Sequence, residues 1–440
     1  MPVVATGGRT LRALRVLVAL QLIALLALAA VTVGKFRVWA DIDERPHYDY
    51  VQKLVEEHRI PRPTELVSSE VQAITDRTWP RPSATDPATL GHNGRSFEAI
   101  QPPLTYVAAA PAFAAVGDHR DKVYALRIWG VLLLAVTVLL LWRLSRRLAE
   151  PPAALAGFST ALTVLLLPGV VVRSATFGNT PLELALSTAY LLALWRADQT
   201  GRMRPLAAAA LLLGLCLLTK LTLLPLVPLL LLVLARTARS GSARRRWALL
   251  AVPALLLAPW LVMNIVRYGS PTVDIEGGAG AAGPVQAAGL DDRIGDLPGL
   301  LERFADGVVP QEWVRRVLEV TWIDVATDVL ALGLLAAGAA ALVRCRGEWR
   351  AWFLALPLIG AVALIVVLHV STGTDTFYLR YVYAALLPYA LGAGIGLTRG
   401  ALTRLHVGTL LGANLVVGVL WVYFAGFFWF NDLGRTLGIL

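Results

Sequence analysis

Residues 13–34 read ALRVLVALQLIALLALAAVTVG, and six residues later the chain turns to DIDERPHYDY at 41–50. A helix rising 1.5 Å per residue needs about 20 apolar residues to cross the hydrocarbon of a bilayer. The first stretch meets that length. It exceeds the apolar core of a secretory leader, and Gly34-Lys35-Phe36-Arg37 lacks the small-residue pattern of a cleavage site. It therefore reads as a retained first span that delivers an acidic, aromatic segment to the far side of the membrane.

The rest of the chain repeats the apolar theme. Of its 440 residues 57% are hydrophobic and 16% charged, against roughly a quarter charged in soluble domains. Further spans are expected at 123–143, 152–173, 180–196, 204–219, 221–236, 247–266, 322–343, 350–370, 379–398 and 404–427. The run 104–116, after Pro102-Pro103, is shorter and reads as a span or an interfacial segment. The net charge of +10 lies in arginine clusters between apolar runs, the pattern of cytoplasmic loops and not of a nucleic-acid partner.

Those clusters set the topology. If 104–116 does not cross, Arg143/Arg146/Arg147, Arg196/Arg202/Arg204, Arg236/Arg239/Arg244/Arg245/Arg246, Arg344/Arg346/Arg350 and Arg399/Arg404 all fall on the side of the basic amino terminus. The expectation is an all-α integral membrane protein of about eleven transmembrane helices. Its parts are a cytoplasmic 1–12, the first helix at 13–34, a long extracytoplasmic loop at 35–122 with interfacial helices, helices two to seven at 123–266, an outer loop at 267–321, and helices eight to eleven at 322–440 with a short carboxyl end outside. Glycine-rich 277–283 marks that second outer loop as loosely built. No repeat of 20 to 50 residues is visible, which speaks against a solenoid and against an inverted-repeat transporter. Cys216 and Cys345 fall in a span and in an inner loop, so neither a disulfide framework nor a cysteine metal site is expected.

In the first outer loop Pro46 suits the first turn of a helix ending before Pro61. On it His47, Val51, Leu54, Val55 and His58 share a face, which predicts an amphipathic helix lying along the membrane surface with Asp43 and Glu44 ahead of its amino end. Acids in loops are usually solvated charges. Asp43 stands apart because it sits at the outer end of a span, in an Asp-Glu pair, with aromatic and histidine side chains close behind.

Asp43-Glu44 with Pro46-His47-Tyr48, then Arg59-Ile60-Pro61, then Glu98-Ala99-Ile100-Gln101-Pro102-Pro103-Leu104-Thr105-Tyr106 resembles the first loop of the GT-C glycosyltransferases, in particular the branch of protein O-mannosyltransferases and lipid A aminoarabinose transferases. Ala125-Leu126-Arg127-Ile128-Trp129 resembles the start of that family's next helix. Leu218-Thr219-Lys220, Pro259-Trp260 with Asn264-Ile265-Val266-Arg267-Tyr268-Gly269, and Leu379-Arg380-Tyr381 resemble later signatures, so the likeness runs from residue 13 to about 400. It implies a GT-C-like fold, a catalytic base at the Asp43-Glu44 position and a polyprenyl-phosphate sugar as donor. The larger members carry a soluble domain after the last span; none is expected here, which leaves the acceptor open among glycan, lipid and protein.

Independently of that likeness, the topology puts the unusual polar residues on one side of the membrane. Lys220, one of four lysines, interrupts two apolar runs and has no acid within a helical turn. Arg173, Asn179, Asn264, Arg267, Arg380 and Tyr381 fall at outer helix ends, on the side of Asp43. A charge near hydrocarbon needs a partner or a role, although an arginine near a helix end can also reach the headgroups. A lipid phosphate at that depth would meet Lys220, Arg380 and Arg267, while Asp43 takes the acceptor's proton. Glu44, His47, Asp49, Glu98 and Gln101, with Asn264, Tyr381 and Trp322, are candidates to line the donor and acceptor pocket; Asp324 and Asp328 follow Trp322 into the eighth span. His47, His58 and His92 form no tight metal spacing, so no cofactor is expected, and a divalent cation (Mg²⁺ or Mn²⁺) is an option the chemistry does not require. A sugar-lipid transporter or flippase, and a non-catalytic sugar-lipid binding protein, are the rival readings.

Overall fold

A computed structural model describes residues 8–36, 38–39, 43–78, 94–238, 243–271, most of 333–343, 348–372, 381–398, 406 and 408–422. Among the described residues every regular element is a helix, with an isolated antiparallel bridge between Leu66 and Arg95. Four helices are long and apolar enough to cross a membrane: Thr10–Lys35, His119–Leu148, Ala243–Tyr268 and Trp349–Val367. A bent pair makes a fifth if it crosses as one span, and shorter apolar helices at Met203–Thr219, Leu221–Thr237, Tyr383–Leu397 and Gly408–Val422 accompany them. Val16, Leu20 and Ile23 on the first helix, Leu132, Val136 and Leu139 on the long helix after residue 119, and Val262 and Val266 are exposed at helical spacing. In water such stripes would be costly; against lipid they are the outer surface.

The expected span at 152–173 is not one helix. Ala153–Leu165 and Pro168–Ala175 meet at an angle of 72°. Pro168 explains the break, because it lacks the N–H that would continue the hydrogen-bond ladder and disfavours helical backbone at the residue before it. The span at 221–236 likewise opens on a 3-10 turn, Leu221–Leu226, with Pro225 inside it. Leu104–Ala114 has 11 residues, roughly 16 Å of helix, too short to cross. Most of 322–343, with Trp322, Asp324 and Asp328, lies outside the described residues, as do His92, Cys345 and Arg380.

The chain forms two compact units. One comprises residues 28–140 and 172–288 and holds α2 (Glu44–Glu56), α3 (Ser69–Thr78), α4 (Leu104–Ala114) and most of α5 (His119–Leu148). Their core is Trp39, Tyr48, Val51, Val71, Phe113, Leu126 and Phe177, with Tyr50 and Tyr106 stacked at 3.6 Å between ring centres. Here the sequence reading needs correction: α2 is not a half-solvated surface helix, because every residue from Glu44 to Lys53 is buried. His58 is not on its face either; it lies past the helix end with φ at 54°. Two neighbouring helices of this unit, Thr180–Thr200 and Met203–Thr219, are joined through Gly201 at φ 61°, a left-handed conformation that suits a glycine at a helix end.

The other unit comprises residues 1–27, 141–171 and 289–440. Ala153–Leu165 packs closely on Tyr383–Leu397: a Cβ on Gly157 would stand 2.8 Å from the Leu391 carbonyl oxygen, and one on Gly394 would stand 2.7 Å from that of Ala156. Small residues let helices approach this way in lipid, where water no longer drives them together. Gln21 adds hydrogen bonds to the Ser159 carbonyl and the Thr163 hydroxyl, each at 3.1 Å.

Candidate functional site

The acidic pair divides into two different environments. The Glu44 carboxylate is fully buried, and each of its oxygens is saturated. Oε1 accepts from Arg127 Nε at 2.7 Å and from the Phe177 amide at 3.2 Å; Oε2 accepts from Arg127 Nη2 at 2.6 Å and from the Trp39 amide at 3.0 Å. Arg127, itself fully buried, also donates to the carbonyls of Phe36 at 2.8 Å and Val33 at 3.3 Å. This bidentate pair therefore pins four pieces of chain together: the end of the first helix, the start of α2, α5, and the loop 176–179.

Asp43, one residue earlier, faces a different partner. Its Oδ2 lies 3.0 Å from Arg173 Nη1, and both side chains keep 13% of their surface open. Arg173 stands on the short helix that follows the Pro168 break. Its backbone is set by close packing: a Cβ on Gly130 would come within 2.6 Å of the Ser174 carbonyl oxygen.

Around this pair the first turns of α2 gather further polar groups. His47 Nδ1 and the Tyr106 hydroxyl share a hydrogen bond of 2.9 Å, and Glu98 Oε2 lies 3.7 Å from the same nitrogen. The backbone of Gly178 closes on the other side of the His47 ring, where a Cβ would meet it at 3.2 Å. Gln101 ends the 3-10 turn that carries Glu98 and is partly exposed. His47, Glu98 and Asp43 are thus brought into one neighbourhood.

Asp49 belongs elsewhere. It accepts from the Ser68 amide at 2.7 Å, from the Ser96 hydroxyl, and pairs with Lys53 at 2.9 Å. Lys53 in turn donates to the Leu66 carbonyl at 2.8 Å. This cluster clamps the segments 65–68 and 94–96 onto the buried face of α2. Burial pushes the Asp49 carboxyl above its ordinary pKa, outweighing the pull of Lys53 and the hydrogen bonds of Ser96 and Ser68. Burial likewise lowers the Arg45 guanidinium to about 10, with Asp49 opposing it.

Lys220 does have an acidic partner, Glu183, at 3.7 Å. The two are 37 residues apart in sequence and meet because their helices are an antiparallel pair. Glu183 lies in the first turn of the helix whose preceding loop reaches Glu44 and His47. Asn264 is buried and donates to the Pro271 carbonyl at 3.0 Å, and the exposed Arg267 donates to the Ile60 carbonyl at 3.3 Å. Tyr381 is half-buried in the other unit. Among the described residues no three His, Cys, Asp or Glu side chains converge to hold a metal ion.

Sequence reasoning overlooked Lys53, Glu183 and the pairing roles of Arg127 and Arg173. Glu183 had a readable signal: an acid inside an apolar helix calls for a cation, and Lys220 is a charge at the end of the neighbouring apolar helix. The Arg127 and Arg173 pairings had none, since their acids are 83 and 130 residues away.

Residues 29–388 match the family described as "Predicted membrane protein (DUF2142)". The chain belongs to that family. No curated protein sequence matches this DUF2142 chain significantly. Among solved structures it is similar to ArnT from Cupriavidus metallidurans in the apo state, at 15% identity and a TM-score of 0.51, covering 92% of the DUF2142 chain and 63% of ArnT. It is similar also to the same protein bound to undecaprenyl phosphate, at 14% identity and a TM-score of 0.50, with the same coverage. The DUF2142 chain thus spans less than two thirds of the ArnT length, and what the two share is the fold. That fold is the GT-C-like one expected from the sequence.

Proposed function

We propose that this membrane protein is a glycosyltransferase that takes a sugar from a polyprenyl-phosphate carrier and passes it to an extracytoplasmic glycan, lipid or protein. The observation that carries the reading is the Asp43–Arg173 pair. Glu44 and Asp49 on the same helix are sealed and committed to holding chain segments together, whereas Asp43 is partly open at the end of the first span. Support comes from the ArnT structure with undecaprenyl phosphate, which has this fold and holds such a lipid.

In the proposed reaction the acceptor hydroxyl oxygen attacks the anomeric carbon, and its proton passes to the Asp43 carboxylate. The bond from that carbon to the phosphate oxygen breaks, its electron pair leaves with the polyprenyl phosphate, and the anomeric configuration inverts. Glu44, expected beside Asp43 in catalysis, is assigned here to positioning through Arg127. Lys220, Arg267 and Arg380 are proposed to meet the leaving phosphate, and His47, Glu98 and Gln101 to contact sugar or acceptor hydroxyls. Asp49 and Asn264 are proposed to support the pocket from behind. We further propose eleven spans, the amino end cytoplasmic, and the catalytic loop 35–122 outside the plasma membrane.

The test is transfer of radiolabelled sugar from a panel of polyprenyl-phosphate sugars to membrane extract, with purified wild type compared with Asp43→Asn. Loss of a general base removes about 10²- to 10⁴-fold of rate, with donor binding retained. Wild type that binds the donors, transfers none and moves them across reconstituted vesicles would replace the transferase reading with a transporter.

A further inference from the structure

Asp43 and Glu44 are consecutive acids, each paired with an arginine, yet the two pairs differ in one physical respect. Arg127 and Glu44 are both sealed, and the guanidinium also spends hydrogen bonds on two backbone carbonyls. Arg173 and Asp43 meet at 3.0 Å with 13% of each side chain open. A sealed pair cannot exchange partners without unfolding its surroundings. An open one can, because the exposed edge of the guanidinium is accessible to a second anion.

The base proposed above is therefore occupied in the resting protein. A carboxylate held against a guanidinium is a weakened proton acceptor, so something must draw the cation off before Asp43 can act. Among the described residues, groups near Asp43 include Glu44 and His47 on its own helix, Tyr106 and Glu98 beside His47, and Arg127 behind Glu44. None of them is an anion free to take Arg173: Glu44 is saturated, and Glu98 lies against His47. The phosphodiester of the arriving donor brings two non-bridging oxygens, which match the planar fork of an arginine better than one carboxylate oxygen does. The helix bearing Arg173 is fixed by its contact at Gly130, so the long side chain moves and the backbone does not.

We propose that Arg173 is shared between Asp43 in the resting protein and the lipid donor's phosphate in the loaded one, so that donor binding releases the base. This rests on the donor site proposed above and gives it an order: donor before acceptor. Arg173 is a positioning residue for Asp43 and a phosphate contact for the donor.

The test is binding of undecaprenyl phosphate to the full-length protein in nanodiscs, with wild type, Asp43→Asn, Arg173→Gln, Arg173→Lys and the double variant Asp43→Asn/Arg173→Gln. Removing the competing carboxylate should tighten binding by about fivefold or more, the lower range of site-to-site coupling. Arg173→Gln should weaken it, Arg173→Lys should restore part, and the double variant should bind as Arg173→Gln does, because Asp43 acts through Arg173. Undecaprenol should respond to none of these changes, and inorganic phosphate should compete only weakly. An Asp43→Asn variant no tighter than wild type overturns the proposal, as does a gain that survives without Arg173. Inorganic phosphate binding as well as the lipid would also overturn it, since the site would then take free phosphate. Coupling found in a wild type that transfers no sugar would sink the transferase reading alone; transfer lost in Asp43→Asn without coupling would sink only the sharing of Arg173.

Discussion

Replacing Arg127 with methionine tests the joint on which the proposed site is built. The substitution removes donors to both Glu44 oxygens, at 2.7 and 2.6 Å, and to the carbonyls of Phe36 and Val33. It leaves Glu44 fully buried with only the amides of Trp39 and Phe177 to meet its charge. Breaking a buried pair by removing one partner costs about 3–5 kcal/mol. For a cooperative unit of about 230 residues each kcal/mol is worth ~2–4 °C, so the drop in Tm is on the order of 10 °C. Glu44→Leu combined with Arg127→Met should recover much of the loss, because no unpaired charge remains in the interior. The assay is thermal unfolding of the detergent-solubilised protein followed by tryptophan fluorescence, with Trp39 and Trp129 in the affected region. A Tm for Arg127→Met within ~2 °C of wild type would refute the view that this pair holds the first helix, α2 and the 176–179 loop together. A double variant as unstable as the single would refute its electrostatic basis.

Glu183 and Lys220 allow structure and function to be separated. Lys220→Met alone should lower stability by about 3–5 kcal/mol by stranding Glu183, and adding Glu183→Leu should restore most of it; if Lys220 also meets donor phosphate, the restored double variant folds yet binds undecaprenyl phosphate more weakly than wild type. Asp49 predicts a pH effect of definite sign. Its folded pKa is raised above the ordinary 3.8 of an aspartate, so the folded state holds this proton more tightly than the unfolded chain. Its contribution is then fully present below about pH 3.8 and is lost as pH rises through the folded value. In Asp49→Asn, denaturant unfolding measured across the acid range should lose that downward slope; a slope equal to wild type would remove Asp49 as its source.

Much of the architecture was legible from residues alone because lipid imposes a simple code. Apolar runs of helical length and the Pro46 start of α2 each follow from local chemistry. Of the residues that the sequence groups in one site, Asp43, His47 and Glu98 lie near one another in the fold, whereas Asp49 is turned to a separate cluster. The sequence reading went astray where neighbours along the chain could not reveal neighbours in space. Periodicity made α2 a surface helix, since a 3.6-residue pattern reports which face is apolar and not whether the polar face is also covered. The polar face is covered here by segments 65–68 and 94–96, which supply their own hydrogen bonds to Asp49 and Lys53.

By itself, then, the sequence determined a helical membrane protein with an acidic, aromatic segment after its first span, because burial in hydrocarbon is a property of single helices. Tertiary structure alone decided what each charge does. Asp43 and Glu44 are adjacent acids with the same local context, yet packing seals one against Arg127 and leaves the other open against Arg173. Lys220 reads in sequence as an orphan and finds Glu183 only when two helices pair. Electrostatic partners are chosen by distance through space, and that distance exists only in the folded chain.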